Sequence, residues 1–506
     1  MIVNFGGNVR FTPRQVYVPK TEAEILDILD RHARSKVRVV ASLHSWSPLV
    51  VSDDAVIDMR HFDGVAIETD ADGATWATVG GGCQIKHLLD KLHRLGDVTM
   101  PSIGLITEQT IAGAISTATH GSGRHSLSNY IDEVRVAAYD PDTGKAHVFA
   151  WNAGPQLQAA RCALGCMGVI LSVRFRCVPK YDVAETIVAC ASIDEALAGE
   201  AEYPLQQFYL VPHLWSWFAQ RRVAMPTPRA KRSFGAKLYR AWWYSNIDVG
   251  LHLVIKSLMC VLKSPALMRF FYRRLLSRLI IKNRTVIDES QRMLTMQHAL
   301  FKHLETEIFV PARHVRAAAA FVQGFLQAFD GGDLSAIAAD LERIGMRAEL
   351  ESLRGSFTHH YAVTFRRVLA DDALIATSAP LDREGEAPAE PLARDRWSSS
   401  AGTETTGSAG ASPSHVEVRE AWYAISFITY VEPRDAFFAM ASFLARTMAV
   451  LFQARPHWGK HFPLTHADVE RLYPRLYEFC TLCRRVDPHG VFRNEFVERV
   501  VFGDAK

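Results

Sequence analysis

Residues 101–123 read PSIGLITEQTIAGAISTATHGSG, a stretch so dense in Gly, Ser, Thr and Ala that its backbone is barely covered by side chains. A chain containing such a stretch must either pack it tightly or close its N–H groups on a bulky ligand. A diphosphate meets that need, with a flat cofactor lying against a helix start. The spacing is neither G-x-G-x-x-G nor the phosphate-loop pattern, and neither occurs elsewhere, so a Rossmann or phosphate-loop nucleotide domain is excluded. Two more patches share this texture. VVASLHSWSPL, residues 39–49, reads as a buried strand delivering His44 into a small-residue turn, and ARPHWGK, residues 454–460, sets His457 and Lys460 beside a Trp and a Gly. Taken singly, a His after a buried strand is more often a hydrogen-bonded structural residue than a ligand. Composition and periodicity reach only a cofactor-using enzyme.

The chain has 506 residues, which suggests two to four domains. Hydrophobic residues at 48% and charged residues at 22% exclude disorder, collagen and coiled coil. A net charge of +3 gives no chain-wide basic surface for nucleic acid. Eight cysteines in so long a chain are no disulfide framework, and no signal-peptide pattern opens the sequence, so a reducing, cytoplasmic setting is expected. Cys480 and Cys483 form a C-x-x-C within an apparently helical run and lack a second pair at metal spacing. They read as helix-packing thiols, and no metal site is expected.

Strand and helix signals alternate closely over residues 1–180. Strands are expected at 15–18, 37–41, 55–60 and 76–82, and helices at 21–36, opened by Thr21 and Glu24, and at 84–96, stopped by Gly96. This is an α+β domain with glycine loops. Residues 181–455 have a longer, mixed texture and read as a second α+β domain with an antiparallel sheet, and 456–506 as a segment returning to the first domain. Within the middle stretch, residues 229–286 carry thirteen Lys or Arg against one acid, Asp248, interleaved with aromatics. That pattern suits surface helices whose basic side chains snorkel from an apolar side, or a peripheral contact with an anionic membrane. Residues 379–414, rich in Ala, Pro, Gly, Ser and Glu, read as a disordered insertion between strand-like runs at 361–369 and 421–431.

Six motifs, in order along the chain, resemble the FAD-linked oxidases of the vanillyl-alcohol-oxidase and p-cresol-methylhydroxylase type, in the aldonolactone and alditol oxidase branch. They are Asn4-Phe5-Gly6-Gly7; the turn Ala41-Ser42-Leu43-His44-Ser45; the run from Gln109 through Gly113, Thr117 and His120 to Gly121 and Gly123; Gly165 with Gly168-Val169-Ile170; Arg455-Pro-His-Trp-Gly-Lys460; and Asp487-Pro488 with Gly490, Phe492 and Asn494.

The resemblance implies a two-part flavin domain built from both chain ends, an inserted substrate domain and FAD as cofactor. It implies hydride transfer from a CH–OH group of a sugar-derived substrate, an aldonolactone or alditol, with O2 or another acceptor reoxidising the flavin. His44 would be joined covalently to the isoalloxazine. Ala41, Ser42, Leu43, Ser45, Gly113, Thr117 and Gly121 would surround the diphosphate and ribityl chain, with Gln109, His120 and Gly123 in the same motif. Gly168, Val169 and Ile170 would lie at the adenine side, Thr110 near the reactive edge, and Lys460 with His457 at the end where negative charge develops. The branch also presents Glu-x-Arg before an Asp-Asp pair. Aligning on Asp371-Asp372 places Arg366 on the arginine and Thr364 where the glutamate belongs. Thr364 is no base at neutral pH, so His360 and Glu307 become candidates. Two rival functions stay open at this point: a membrane-associated dehydrogenase or reductase of a lipid-linked sugar or sterol-like substrate, and a silent flavin-binding module.

Overall fold

The computed structural model describes residues 1–225, 234–276, 280–296, 302–381, 419–432 and 434–503. In the first domain, β1 (Gln15–Tyr17), β2 (Val37–Val40) and β3 (Ala55–Asp58) form a parallel three-stranded sheet in the order β1-β3-β2. Helix α1 (Glu22–Arg31) makes the crossover. Its Thr21 hydroxyl accepts from the Glu24 N–H, but the helix stops at Arg31, five residues short of the expected end. A five-stranded antiparallel sheet follows, built from β4 (Val65–Thr69), β5 (Thr75–Gly80), β6 (Ile131–Tyr139), β7 (Ala146–Trp151) and β8 (Val169–Arg176) in the order β7-β6-β8-β5-β4. Helix α2 (Ile85–Gly96) presents Ile85, Leu88, Leu89 and Leu92 to this core. It ends on Asp97 in the left-handed conformation, so Gly96 is its last helical residue rather than its stop. The small-residue stretch supplies only a short helix, α3 (Ile111–Ser116). Cys162 and Cys166, both buried, follow helix α4 (Gly154–Arg161), which ends where the chain turns at Cys162.

The second domain is one eight-stranded antiparallel sheet. Its strands are β9 (Asp182–Cys190), β10 (Gln207–Val211), β11 (Ser216–Met225), β12 (Val286–Glu289), β13 (His303–Pro311), β14 (Val363–Val368), β15 (Trp422–Tyr430) and β16 (Arg455–Pro456), in the order β12-β9-β11-β10-β14-β15-β13-β16. Its apolar face is covered by α8 (Val315–Phe329) and α9 (Arg434–Phe452), whose Phe325 and Phe443 rings stack 5.7 Å apart. Helix α9 is long and apolar enough to span a membrane by composition, but Phe437, Met440, Phe443, Leu444 and Met448 are fully buried, so it is a core helix. Three helical segments, α5 (Phe234–Trp243), α6 (His252–Lys256) and α7 (Pro265–Phe271), pack across the other side through Ile255, Met268 and Phe271.

One core cluster joins side chains from Ile25 to Cys177 with side chains from Trp458 to Phe502. The Val37 N–H donates to the Val491 carbonyl, and the Asn494 amide donates to the carbonyls of Pro48 and Val51. Ala373–Ala376 and Ala379 enter this same cluster although they lie inside the 181–455 stretch, so that boundary is corrected: the chain crosses back after β14. Ala379 and Pro380 are also held by the Arg455 guanidinium, which removes them from the expected disordered insertion. The rest of that insertion, from 382, lies outside the described residues, as do 229–233 and 277–279 of the basic stretch.

Candidate active site

The turn carrying His44 leaves β2 and is clamped by both chain ends. The Phe5 N–H donates to the Leu43 carbonyl and the Asn4 amide to the Ser45 carbonyl. The Trp46 N–H and the Ser45 hydroxyl both donate to the Gly459 carbonyl. Gly6 is required because a Cβ there would lie 2.6 Å from the Trp46 indole. Leu43 has φ 53°, the left-handed backbone a glycine normally supplies, at a cost of about 1–2 kcal/mol. Leu43 therefore takes up the tight turn that presents His44 without a glycine. The His44 ring stacks on Phe5 with centroids 4.4 Å apart. Burial, helped by the nearby Lys460, lowers its pKa to about 4, so the ring is neutral. Its buried Nε2 has no hydrogen-bond partner among the described residues.

On one side of this turn lies a cleft with about 680 Å³ of empty space. Ala41, Ser45, Gly81, Thr110, Gly113, Thr117, Gly168 and Ile170 line it. At Gly81 a Cβ would press into the Ile170 carbonyl, so only glycine lets these walls approach. The Thr110 hydroxyl caps α3 by accepting from the Gly113 N–H, 3.4 Å away. Thr110 is thus placed in the cleft, and its hydroxyl is engaged locally. Arg38, buried in the same wall, donates to the carbonyls of Leu164 and Phe492 and cross-links the two chain ends. The sequence gives no hint of it, because a buried arginine inside a strand of valines resembles any alternating surface residue. A glycine-walled cleft and a buried guanidinium fit FAD: room for the diphosphate and a positive charge in the cleft wall. His44 itself is not among the residues that line the cleft.

On the other side, between the two domains, lies a cavity with about 1130 Å³ of empty space. Its polar pole is built on β13, a strand whose nine residues are all buried. Glu305 and Glu307 point to one face by the period of two. The register continues across the sheet: Glu307 sits opposite Ser426, Ser426 opposite Thr364, and Thr364 opposite Tyr209. Thr364 does occupy the row of a missing β14 carboxylate, but the same row holds a carboxylate two strands away.

Glu305 forms a buried ion pair with Lys460, whose Nζ also lies 4.4 Å from the Trp46 ring centroid. Burial works to raise the pKa of Glu305, but Lys460 and His303 overcome it and hold it at about 2. Glu307 accepts from the Ser426 hydroxyl at 2.6 Å and from the Arg366 guanidinium at 3.3 Å, and lies 3.5 Å from His120 Nε2. Burial is again overcome, here by His120 and Lys460, which keep its pKa well below the ordinary carboxylate value. Arg366 is oriented by Gln207, 3.0 Å from its Nε. Burial pushes the His457 imidazole down to about 3, and its Nδ1 accepts from the Gly459 N–H, so Nε2 carries the proton and His457 is a neutral donor.

The structure therefore gathers Lys460, His457, Arg366 and Glu307 of the residues singled out in the sequence, and adds Glu305. Two acids spaced by two inside an otherwise apolar strand, ETEIFVP, were a legible signal for this pair. Gln109 and His120 line the cavity rather than the cleft. Six residues need correction. His360 is absent from the cavity wall: its Nδ1 donates to the Thr358 carbonyl, Nε2 accepts from the Thr429 hydroxyl, and the ring stacks on Tyr430, so it is a structural residue. Gly121 and Gly123 lie on the seam between the domains, where a Cβ on Gly123 would collide with the Pro204 carbonyl and the Gly123 N–H donates to the Arg367 carbonyl. Val169 is a buried core residue at the start of β8, and Ser42 and Leu43 shape the turn without lining the cleft.

Beyond the pole the cavity wall is apolar, formed by Leu105, Ile106, Trp243, Leu251, Met296, Ala362 and Ile428, with Tyr361 and His252 joined at 2.7 Å.

A sequence model of the family described as D-arabinono-1,4-lactone oxidase matches residues 173–500, and a model of an FAD binding domain matches residues 13–147. A long-chain alcohol oxidase from an uncultured marine euryarchaeote is 42% identical, over 99% of this chain and 97% of its own length. An L-gulonolactone oxidase from Mus musculus (22% identical, 97% and 96% covered) and an alditol oxidase from Streptomyces sp. (22%, 99% and 99%) align end to end. Among solved structures, cholesterol oxidase from B. sterolicum superposes with a TM-score of 0.68 at 15% identity, covering 99% of this chain and 96% of that one. A solvent-stable cholesterol oxidase gives 0.70 at 14%, covering 98% and 96%, a likeness of fold.

Proposed function

The chain belongs to the D-arabinono-1,4-lactone oxidase family of FAD-linked oxidoreductases acting on CH–OH groups, and from that premise we propose that it oxidises an alcohol bearing an extended apolar tail. The observation that carries this reading is the cavity's division into a charged pole and an apolar remainder. A carbinol fits at Glu305, Glu307, Arg366, His457 and Lys460, while a hydrocarbon chain covers Leu105, Ile106, Trp243, Leu251 and Met296. The 42%-identical relative carries the name long-chain alcohol oxidase, which accords with these walls.

FAD, when bound, supplies the two-electron acceptor for hydride. The chain's own residues do the rest. The ion pair of Lys460 and Glu305 fixes a cation at the pole, and the His457 Nε2–H stands as a neutral donor beside it; both favour negative charge developing there. Arg366, held by Gln207 and Glu307, orients the substrate oxygen. His44 offers its unpartnered Nε2 as the point of covalent attachment. Acid precipitation that leaves flavin on the protein supports attachment, and its complete release refutes it.

A sugar-derived substrate, an aldonolactone or alditol, is the second reading. The family description, the relatives at 22% and the hydrogen-bonding pole with Gln109 and Thr119 favour it. Anaerobic mixing of the purified protein with long-chain primary alcohols, alditols and aldonolactones separates the two. Bleaching that strengthens with chain length supports the first, and bleaching by polyols or lactones alone replaces it with the second.

The protein's contact with membranes is part of the same proposal. Ten of the seventeen large apolar side chains exposed among the described residues lie between Phe234 and Leu275, interleaved with exposed Lys237, Lys256, Lys263, Arg273 and Arg274. The inner side of the same helices supplies Trp243, Leu251 and His252 to the cavity. This face suits an anionic bilayer. Sedimentation with phosphatidylserine vesicles that is lost on replacing Leu253 and Leu262 by Asp supports it, and indifference to vesicles counts against it.

A further inference from the structure

With Thr364 in place of a glutamate, the residue that receives the substrate's hydroxyl proton has to be found among the groups at the cavity's pole. Glu305 is committed to Lys460. The accepting nitrogen of His457 is occupied by the Gly459 N–H, so its other nitrogen can only donate. His120 is held differently. Its Nδ1 lies 2.8 Å from the Gly121 carbonyl, which can only accept, so Nδ1 carries a hydrogen and Nε2 is the atom that gains and loses a proton. Nε2 faces Oε1 of Glu307 at 3.5 Å, both side chains almost fully buried and both lining the cavity. That gap is wider than a direct hydrogen bond, and a substrate hydroxyl at its mouth reaches both partners.

We propose that His120 is the catalytic residue that takes the hydroxyl proton, with Glu307 as the counter-charge for the imidazolium so formed. This rests on the alcohol-oxidising reading above. In the step, the O–H bond breaks and its proton goes to His120 Nε2. The C–H bond breaks and its electron pair passes as hydride to FAD. The carbon–oxygen double bond forms, so the alcohol loses two electrons and FAD gains them.

The surroundings agree. Glu307 and the edge of Phe309 approach the ring from β13, with ring centroids 4.9 Å apart for Phe309, and His457 lies 6.3 Å away on the C-terminal loop. Arg366 from β14 and Lys460 reach the ring only through the carboxylates they pair with. Two carboxylates and two cations cancel at the pole, so His120 takes up its proton against no net positive charge there, with Glu307 as the nearest ionised group. The carboxylate of Glu307 also feels Lys460, and a proton taken up by His120 strengthens its hold on the ionised form, so the counter-charge is present when the imidazolium forms.

The test uses full-length protein carrying FAD. Flavin bleaching by an alcohol is followed under anaerobic conditions between pH 5 and 10 for the parent, His120→Asn and Glu307→Gln, with flavin content and melting temperature reporting the fold. Asn keeps a donor for the Gly121 carbonyl. The parent rate should fall on the acid side as the pair holds its proton. His120→Asn should be about 10²–10⁴-fold slower with that acid limb gone. In Glu307→Gln the imidazolium loses its counter-charge, so the limb should move to lower pH. As a readout independent of turnover, 13C-histidine NMR should show one resonance that is absent in His120→Asn, titrates in the parent, and has its midpoint lowered in Glu307→Gln. An acid limb unchanged in His120→Asn overturns the proposal, and so does a limb abolished only in Glu307→Gln, which would make Glu307 the base. Failure of every alcohol to bleach the parent sinks the alcohol reading instead, and the NMR arm then still decides whether His120 and Glu307 share a titrating proton.

Discussion

Replacing Lys460 by Met should invert the pH dependence of this protein's stability. In the parent, Glu305 sits at about 2 against an ordinary 4.5, although burial alone would raise it, and the difference is chiefly the work of Lys460. At about 1.4 kcal/mol per tenfold change, this is on the order of 3 kcal/mol of stability. The sign follows from the direction. A depressed folded-state pKa stabilises above the unfolded value, so the contribution is complete above about pH 5 and is lost as pH falls from there towards 2. In Lys460→Met the opposing charge is gone and burial dominates, so the folded-state pKa of Glu305 rises above 4.5. The variant then loses about 3–5 kcal/mol at pH 7, the usual cost of stranding one member of a buried pair, and regains part of it as Glu305 protonates on acidification. Thermal melts of the two proteins at matched flavin loading, from pH 5 to 8, measure this. The gap in melting temperature should narrow as pH falls, and the double variant Lys460→Met, Glu305→Gln should recover much of the loss at pH 7. Parallel melting curves at every pH would refute the assignment of Lys460 as the charge that ionises Glu305.

Three further outcomes follow from the geometry. His44→Ala should yield protein from which acid releases all flavin, and retention of bound flavin after precipitation would remove His44 as the attachment point. Leu251→Arg places a charge in the apolar wall and should raise KM for long-chain alcohols by tenfold or more while leaving that for short alcohols within about twofold, steady-state kinetics over a chain-length series being the check. Gly123→Ala meets both a left-handed φ of 70° and a collision with the Pro204 carbonyl, so it should lower the melting temperature by several degrees; an unchanged melt would show that the seam yields freely.

The first domain was legible because its elements are short and strongly patterned. Ile85, Leu88, Leu89 and Leu92 recur at helical spacing, and the four residues Ala55–Asp58 form an unbroken buried strand. What the pattern could not carry is where the chain crosses between domains. Ala373–Ala376 have the composition of any buried loop, and only their packing against Cys162 and Trp458, whose indole donates to the Ile375 carbonyl, assigns them to the first core. Helix ends were missed for local reasons. Residues 32–36 keep helical composition, but the His32 imidazole binds the Ser35 hydroxyl and the Lys36 N–H turns to the Asp54 carboxylate, so the chain leaves the helix early.

The charged pole of the cavity shows how a departure from a motif along one strand is read differently across the sheet. Read along the chain, Thr364 is a missing base. Read across the sheet, it is one position in a row whose neighbours are fixed by register, and Glu307 holds a carboxylate in that row through Ser426. Arg366 then pairs with a carboxylate from another strand rather than with one two residues away on its own. Register brings side chains from neighbouring strands into one row, so Glu307 presents a carboxylate in the row of Thr364 from two strands away. The requirement is that the row stay in register. Here register is held by Asp371, which accepts from the hydroxyls of Ser126 and Ser128, and by the ion pair of Arg161 with Asp372 at 2.6 Å, both anchoring the end of β14 to the first domain. The Asp-Asp pair of the motif therefore ties the first domain to the end of the strand on which Arg366 and Thr364 face the cavity.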